Sequence, residues 1–423
     1  MTQHAVLRLE GKFPEEMTDL LEAIAPCYQC GTCSATCPTA YAMDYSPRAL
    51  WRLVELGARD EVLRSNTFWM CTACYSCTVR CPRDIPISET MRRLRELYIE
   101  QEIGPLQGGL SAVLDAVATQ HNIANEPNDS RLIWSENMPE RPPQLETRQA
   151  EVLYFVGCVG ALFPQTYAIP QSFVQILGQA GVDYTVLGGD EWCCGYPVYG
   201  AGRKDRRKEL AEHNCARLAE TGARTLVTTC PSCYYTWRHL YPEVLGHEVP
   251  AEVLHATELM ARLIDEGRLE LGPIEEVVTY HDPCDLGRKS GVYDAPRQVL
   301  RSIPGLTLLE MMQHGADSLC CGGGGDIAMY ALDVVADVAQ RRMRQAEMVG
   351  ARYIVSACQQ CKRTLADGAR KARIRIRPID ITELVWQSVQ NAQAGIKPPQ
   401  AKPAEKPRAA KPRRWGEAEE GVK

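Results

Sequence analysis

The sequence predicts a multidomain α+β/α/β protein: an α-helical N-terminal part followed by two tandem copies of one α/β unit. Three observations carry this prediction. Nineteen of the 423 residues are Cys, and eighteen of them fall into four tight sets. The two N-terminal sets share one spacing, while the two later sets repeat each other at offsets of 126–128 residues. Around the later sets, short β-branched runs alternate with longer helical stretches, the order expected of βα units on a parallel sheet.

Composition narrows the class. Hydrophobic residues make up 45% and charged residues 24%, ordinary values for globular protein, and the length suits two to four domains. A net charge of −6 gives no basic footprint for nucleic acid. The N-terminus MTQHAVLRLEGKFPEEM has no apolar h-region, and no 18 apolar residues run together. A cytoplasmic chain is expected, or one peripheral at the cytoplasmic face of a membrane through a partner. Disulfides do not persist there, so clustered cysteines point to metal or redox chemistry.

The first element, residues 1–105, holds Cys27, Cys30, Cys33 and Cys37 before Pro38, and Cys71, Cys74, Cys77 and Cys81 before Pro82. Both read C-x2-C-x2-C-x3-C-P, the bacterial ferredoxin run. Its first three thiolates bind one [4Fe–4S] cubane, and its fourth binds the other. One cubane is therefore expected on Cys27, Cys30, Cys33 and Cys81, and the second on Cys71, Cys74, Cys77 and Cys37. Structural zinc would not call for this tandem spacing. Residues 85–103 predict an amphipathic helix starting near Ser88 and packing on this ferredoxin-like domain. Residues 106–150, rich in Asn, Pro and Glu, predict a linker.

The repeats follow, at 151–271 and 272–390. Cys158, Cys193, Cys194, Cys230 and Cys233 are matched by Cys284, Cys320, Cys321, Cys358 and Cys361. Pro170 matches Pro296, and Thr-Glu-Leu at 257–259 matches that at 382–384. In each unit a strand (EVLYFVGC, EVVTYHDPC) precedes the first Cys, and a helix follows it. A Cys-Cys-Gly loop then feeds a long polar helix, and a second strand (TLVTTC, YIVSAC) delivers Cys-x-x-Cys. Ligands at strand ends converge in the crevice above an open sheet. Adjacent cysteines cannot comfortably share one tetrahedral ion but can reach different irons of an opened cluster. Gly322–Gly325 permits close backbone approach, with N–H groups donated to a negative core. Zinc in one unit is the alternative, four sulfurs sufficing.

GDEWCCGYP and SLCCGGGGD, with their flanking cysteines, resemble the paired cysteine-rich "CCG" domains of heterodisulfide reductase. CYQCGTCSATCP and FWMCTACYSCTVRCP resemble its C subunit. The whole looks like a C–B fusion, the layout of the D subunit and of related subunits in sulfate-reducer transmembrane complexes. The resemblance implies a noncubane [4Fe–4S] cluster on each five-cysteine set, with a disulfide split between them. Many relatives carry His after the Cys of the HDPC segment, where this chain has Asp285.

On this basis the ten repeat cysteines and His281 are the expected catalytic groups, with His281 or Asp282 delivering protons to a departing thiolate. Asp282 capping its loop is the plainer alternative. Arg288 and Lys289 could attract an anionic substrate or lie solvated in a loop, and Cys215 is expected to be an inert packed thiol. The tail from 391 to 423 is basic, low-complexity and expected to be disordered. No nucleotide fingerprint is visible, so electrons are expected to pass to or from a flavoprotein or a membrane cytochrome b-type subunit. The alternative function is a non-catalytic relay linking a flavin dehydrogenase, of glycerol-3-phosphate or glycolate type, to the quinone pool.

Overall fold

A computed structural model of the chain describes residues 17–204 and 206–397. Among the described residues, eight strands form two parallel sheets. β1 (Val152–Phe155), β2 (Tyr184–Thr185), β3 (Thr225–Thr228) and β4 (Glu252–His255) lie in the order β2-β1-β3-β4. β5 (Val277–His281), β6 (Thr307–Leu308), β7 (Tyr353–Ser356) and β8 (Arg377–Asp380) repeat it as β6-β5-β7-β8. Leu153 pairs with Leu226 in the first sheet and Tyr280 with Val355 in the second. The central strands are apolar almost throughout because helices cover both faces. All four expected strands are present. The edge strands β2 and β6, two residues each, are too short to leave a periodic signal.

The two units interlock. Helix Ala168–Gln179 of the first packs on helix Ile381–Gln393 of the second, and helix Ala256–Asp265 of the first packs on Asp294–Arg301 of the second. One apolar core therefore runs through both, including Phe173, Ile176, Leu300 and Val385. The repeated Thr-Glu-Leu has a local cause, since it opens the last helix of each unit on a capping box. His255 pairs with Glu258 in one and Asp380 with Glu383 in the other.

Residues 17–100 are short helices around Leu50, Trp51, Phe68, Trp69 and Leu94. The expected amphipathic helix spans Ile87–Glu100 and buries Met91, Leu94 and Leu97. It starts after Pro86, so Ser88 lies inside the first turn and its N–H donates to Thr78 Oγ1 at 3.0 Å. The 106–150 stretch is more than a linker. It contains helix Leu110–Gln120 and the 3₁₀ segment Asn128–Ser135, and it packs Trp134 and Leu145 into the core because these apolar residues punctuate its polar run. The last helix continues to Gln393, past the expected boundary at 390. Most of the expected basic tail, residues 398–423, lies outside the described residues. Among the described residues no helix is long and apolar enough to cross a membrane.

Candidate functional site

The two N-terminal runs fold alike for a backbone reason. Gln29 (φ 63°) and Gly31 (φ 84°) sit in the left-handed region, and so do the corresponding Ala73 (φ 51°) and Tyr75 (φ 63°). Each run thus curls its amides inward, the concave geometry that suits an anionic core, and the Ala73 N–H donates to Cys71 Sγ at 3.4 Å. The helices that follow, Thr32–Thr36 and Ser76–Val79, pack against each other and carry the two runs across one another. Cys37 lies beside Cys71 and Cys74, and Cys77 faces all three. Cys30 is exposed while Cys74 is buried. Burial pushes the Cys37 thiol up to about 12 and Cys77 well up. Thiols packed this way ionise only against compensating positive charge, which an iron core supplies, so the donor set fits a cluster.

In the repeats six of the ten cysteines follow the C-terminal ends of the central strands, as the βα order requires, and the adjacent pairs Cys193, Cys194 and Cys320, Cys321 lie in the loops after the edge strands. Cys158 lies on the helix Gly157–Leu162 after β1, and Cys230 immediately precedes helix Pro231–Tyr235 after β3. Cys358 caps helix Gln359–Ala372 after β7, its sulfur accepting from the Cys361 N–H at 3.3 Å. A cavity of about 150 Å³ opens between the units. Its walls include Cys158, Cys193, Cys194, Cys230 and Cys233 from the first set and Cys284, Cys321, Cys358 and Cys361 from the second. Cys320 faces the other way, against Cys74 of the N-terminal part, and its thiol donates to Thr72 Oγ1 at 3.8 Å. None of these cysteines is paired in a disulfide. Hydrogen bonds between neighbouring sulfurs, with burial, push Cys158, Cys233 and Cys361 well up while lowering Cys194, Cys230 and Cys321, so each set packs its sulfurs close enough to share one core.

The glycine run does what its composition suggests. Gly322 N–H donates to Cys320 Sγ at 3.2 Å and Gly323 N–H to Cys321 Sγ at 3.5 Å. A Cβ on Gly324 would lie 2.7 Å from Thr72 O, so glycine is needed for the approach to the second ferredoxin run.

The charged residues are placed less predictably. His281 is 1% exposed and sits behind Cys321, outside the cavity lining, with Arg342 Nε donating to its Nδ1 at 3.1 Å. It forms a His281–Cys321–Cys361 group whose ligand atoms lie within 4.8 Å of one another, a set zinc also accepts. Asp282 holds its loop, accepting from Gly315 N–H at 2.8 Å and from both Arg297 Nη atoms at 2.7 and 3.0 Å. Arg288 and Lys289 are not solvated attractors. Arg288 Nε donates to Cys74 O at 2.6 Å. Lys289 Nζ, buried among Tyr75, Tyr196 and Tyr235, pairs with Asp285 Oδ1 at 2.7 Å. Cys215 is a half-buried thiol pushed up to about 11 by burial.

Three residues escaped sequence reasoning. Arg131, inside the expected linker, is 2% exposed and donates to Cys158 Sγ at 3.1 Å and Glu191 Oε1 at 2.7 Å. Arg95 spends its donors on carbonyls of three separate segments, and Asp326 lines the cavity. Only the position of Asp326, directly after the glycine run, could have flagged any of them.

Comparison with known proteins agrees with this geometry. The cysteine-rich domain family matches residues 152–238 and 278–366, and the 4Fe-4S dicluster domain family matches 23–85. The chain is 31% identical over 397 residues to the D subunit of dihydromethanophenazine:CoB–CoM heterodisulfide reductase from Methanosarcina barkeri, covering 86% of this chain and 93% of that one. The chain belongs to the family of heterodisulfide reductase D subunits. It is an iron–sulfur oxidoreductase of that type, and its similar proteins include subunits of multi-subunit redox complexes. It is also 30% identical to the probable iron-sulfur-binding oxidoreductase FadF of Bacillus subtilis, over 84% of this chain and half of that one. A crystal structure of a hypothetical protein from Helicobacter pylori shares the fold, with TM-score 0.57 and 11% identity over 90% of this chain and 73% of that one.

Proposed function

We propose that this chain is a thiol–disulfide oxidoreductase subunit whose substrate sulfurs enter the cavity between the two five-cysteine sets. The observation that carries this reading is the cavity itself: nine of the ten cysteines of two sets of one design, all but Cys320, face a single space of about 150 Å³, large enough for a small S–S unit and walled mainly by apolar groups and sulfur. Cys27, Cys30, Cys33 and Cys81 would hold one cubane, and Cys71, Cys74, Cys77 and Cys37 the other. Each repeat set would hold a noncubane [4Fe–4S] cluster. When bound, the clusters supply single electrons.

The protein's own residues do the rest. The exposure of Cys30 supports a first cubane site within reach of a partner, a flavoprotein or a membrane cytochrome b-type subunit. The contacts of Cys74 with Cys320 and of Arg288 with the Cys74 carbonyl brace the second cubane site against the second repeat. Arg131 places positive charge on Cys158, and the Gly322 and Gly323 amides do so more weakly at Cys320 and Cys321. The similarity to FadF and to an EtfAB:quinone oxidoreductase supports a second reading, a relay for a flavin dehydrogenase.

Anaerobic purification with iron, sulfide and zinc analysis decides between them. Four clusters predict about sixteen iron per chain, with a paramagnetic signal that appears on mild oxidation only when a thiol is present. About eight iron with stoichiometric zinc would overturn the catalytic reading.

A further inference from the structure

We propose that Asp326 is the proton donor to the thiolate released in the cavity, and the proton acceptor in the reverse direction. This rests on the thiol–disulfide reading above and adds the acid that chemistry needs. Cleaving R–S–S–R′ consumes two electrons and two protons and yields RSH and R′SH. The electrons come from the iron–sulfur centres. Asp326 in its carboxylic acid form gives one proton to a departing sulfur and is left as carboxylate, and solvent supplies the other proton.

The position is specific. Asp326 lines the same cavity as the two cysteine sets, whereas His281 lies behind Cys321 with Nδ1 occupied by Arg342. Asp285, the other carboxylate in the wall, is committed to Lys289, Tyr196 and Ser232. Asp326 is 8% exposed, and among the described residues its Oδ2 has no hydrogen-bond partner. A buried carboxylate met by a cation only at 3.9 Å, without a hydrogen bond to Oδ2, favours the neutral, proton-carrying form. The groups facing it are Arg95 (Nη1 at 3.9 Å) from helix Ile87–Glu100, Lys289 and Asp285 from the loop after β5, and Tyr330 from its own segment. Burial outweighs the two cations and pushes its pKa up to about 7, where an acid can both give and regain a proton at neutral pH.

A smaller space lies next to it, on the far side of Gly200. A second cavity of about 20 Å³ is lined by Gly200, Tyr196, Arg95 and Lys289, room for about one water. A Cβ on Gly200 would lie 2.5 Å from Asp326 Oδ2, so glycine there lets the carboxyl pack against the wall of that space.

The test compares wild type with the near-isosteric Asp326→Asn, both purified anaerobically with clusters. Infrared difference spectra across pH 5–9 should show a carboxylic acid band in wild type that titrates near neutrality, shifts when 2-mercaptoethanol is added and is missing in the variant. With bis(2-hydroxyethyl) disulfide and reduced benzyl viologen, wild-type turnover should fall as pH rises through about 7. The variant, at equal iron content, should be about 10²-fold slower and without that fall. A wild-type band absent or indifferent to thiol, or a variant matching wild type in rate and pH profile, overturns the role of Asp326 alone. If wild type shows neither turnover nor a thiol-dependent paramagnetic signal, the underlying reading fails and the proposal falls with it.

Discussion

Arg95→Met should detach the N-terminal part from both repeats. Arg95 is 2% exposed, and all five of its N–H groups are used. Nε donates to Phe68 O at 3.0 Å, and Nη2 to Trp69 O at 3.2 Å and Cys71 O at 2.9 Å. Nη1 donates to Gly200 O at 2.8 Å and Gly325 O at 3.0 Å. One guanidinium therefore ties together the second ferredoxin run, the first repeat and the second repeat. Among the described residues no carboxylate is at hydrogen-bond distance, the nearest being Asp326 Oδ2 at 3.9 Å, so five main-chain carbonyls take the place of hydration.

Hydrogen bonds to a charged group are worth about 1.5–3 kcal/mol each, and five would total roughly 7–15 if independent. Returning the cation to water in the unfolded chain offsets several kcal/mol of that, which leaves a net loss of about 4 kcal/mol or more. Methionine fills the stem volume but donates nothing, so the carbonyls stay unpaired. Arg95→Lys should also fail in large part, because an ammonium has three donors and no fork. The assay is anaerobic urea unfolding, followed by tryptophan fluorescence and cluster absorbance, with limited proteolysis between residues 101 and 109. The two transitions should separate in Arg95→Met, the N-terminal part melting first. Both variants unfolding within about 1 kcal/mol of wild type, in one transition, would refute the reasoning.

Two further substitutions probe other buried charges. Arg131→Met leaves Glu191 held only by the Val156 and Gly157 N–H groups, and breaking a buried pair in this way should cost about 3–5 kcal/mol. Adding Glu191→Gln should return at least about 1 kcal/mol of it in chemical denaturation, as expected for coupled sites. Asp380 is buried with Oδ2 unpartnered, and burial pushes it up to about 7. A raised folded-state pKa means its contribution is full below about pH 4 and is lost as pH rises through 7. Asp380→Asn keeps the capping oxygen, so its stability relative to wild type should climb between pH 4 and 7, by at most about 4 kcal/mol at 1.36 per unit.

What the sequence revealed and concealed divides along physical lines. Cysteine spacing is local, so both runs, both five-membered sets and the four central strands could be read directly. The offset of the Thr-Glu-Leu segments was visible too, but its cause was not, because a capping box is recognised only once the preceding residue, His255 or Asp380, is known to end a strand. Lys289 reads equally well as solvated charge, and Arg95 and Arg131 carry no signal, because composition cannot say which distant segment covers a side chain. Their partners lie far along the chain: Gly325 for Arg95, Glu191 for Arg131, and Tyr75 and Tyr196 for Lys289. The 106–150 stretch misled for the same reason, its few apolar residues mattering only against the sheet they cover.

The two repeats are copies that no longer make the same contacts, and the divergence is plain directly after Cys-Cys-Gly. Both loops turn on a left-handed glycine, Gly195 at φ 89° and Gly322 at φ 92°. The next residues are Tyr196 and Pro197 in the first unit but Gly323 and Gly324 in the second. Tyr196 turns its hydroxyl onto Asp285 of the other unit at 2.9 Å, a contact within the repeat pair. Gly324 and Gly325, lacking side chains, let the Cys71–Thr72 backbone come in, and that approach sets Cys320 beside Cys74. Only the second unit meets the N-terminal run through its paired cysteines among the described residues, and the first instead has the Arg131 guanidinium on Cys158. On the proposed thiol–disulfide reading, equal cysteine sets in unequal surroundings suit an ordered transfer of two electrons: one set beside the N-terminal run, the other made more receptive by a nearby cation.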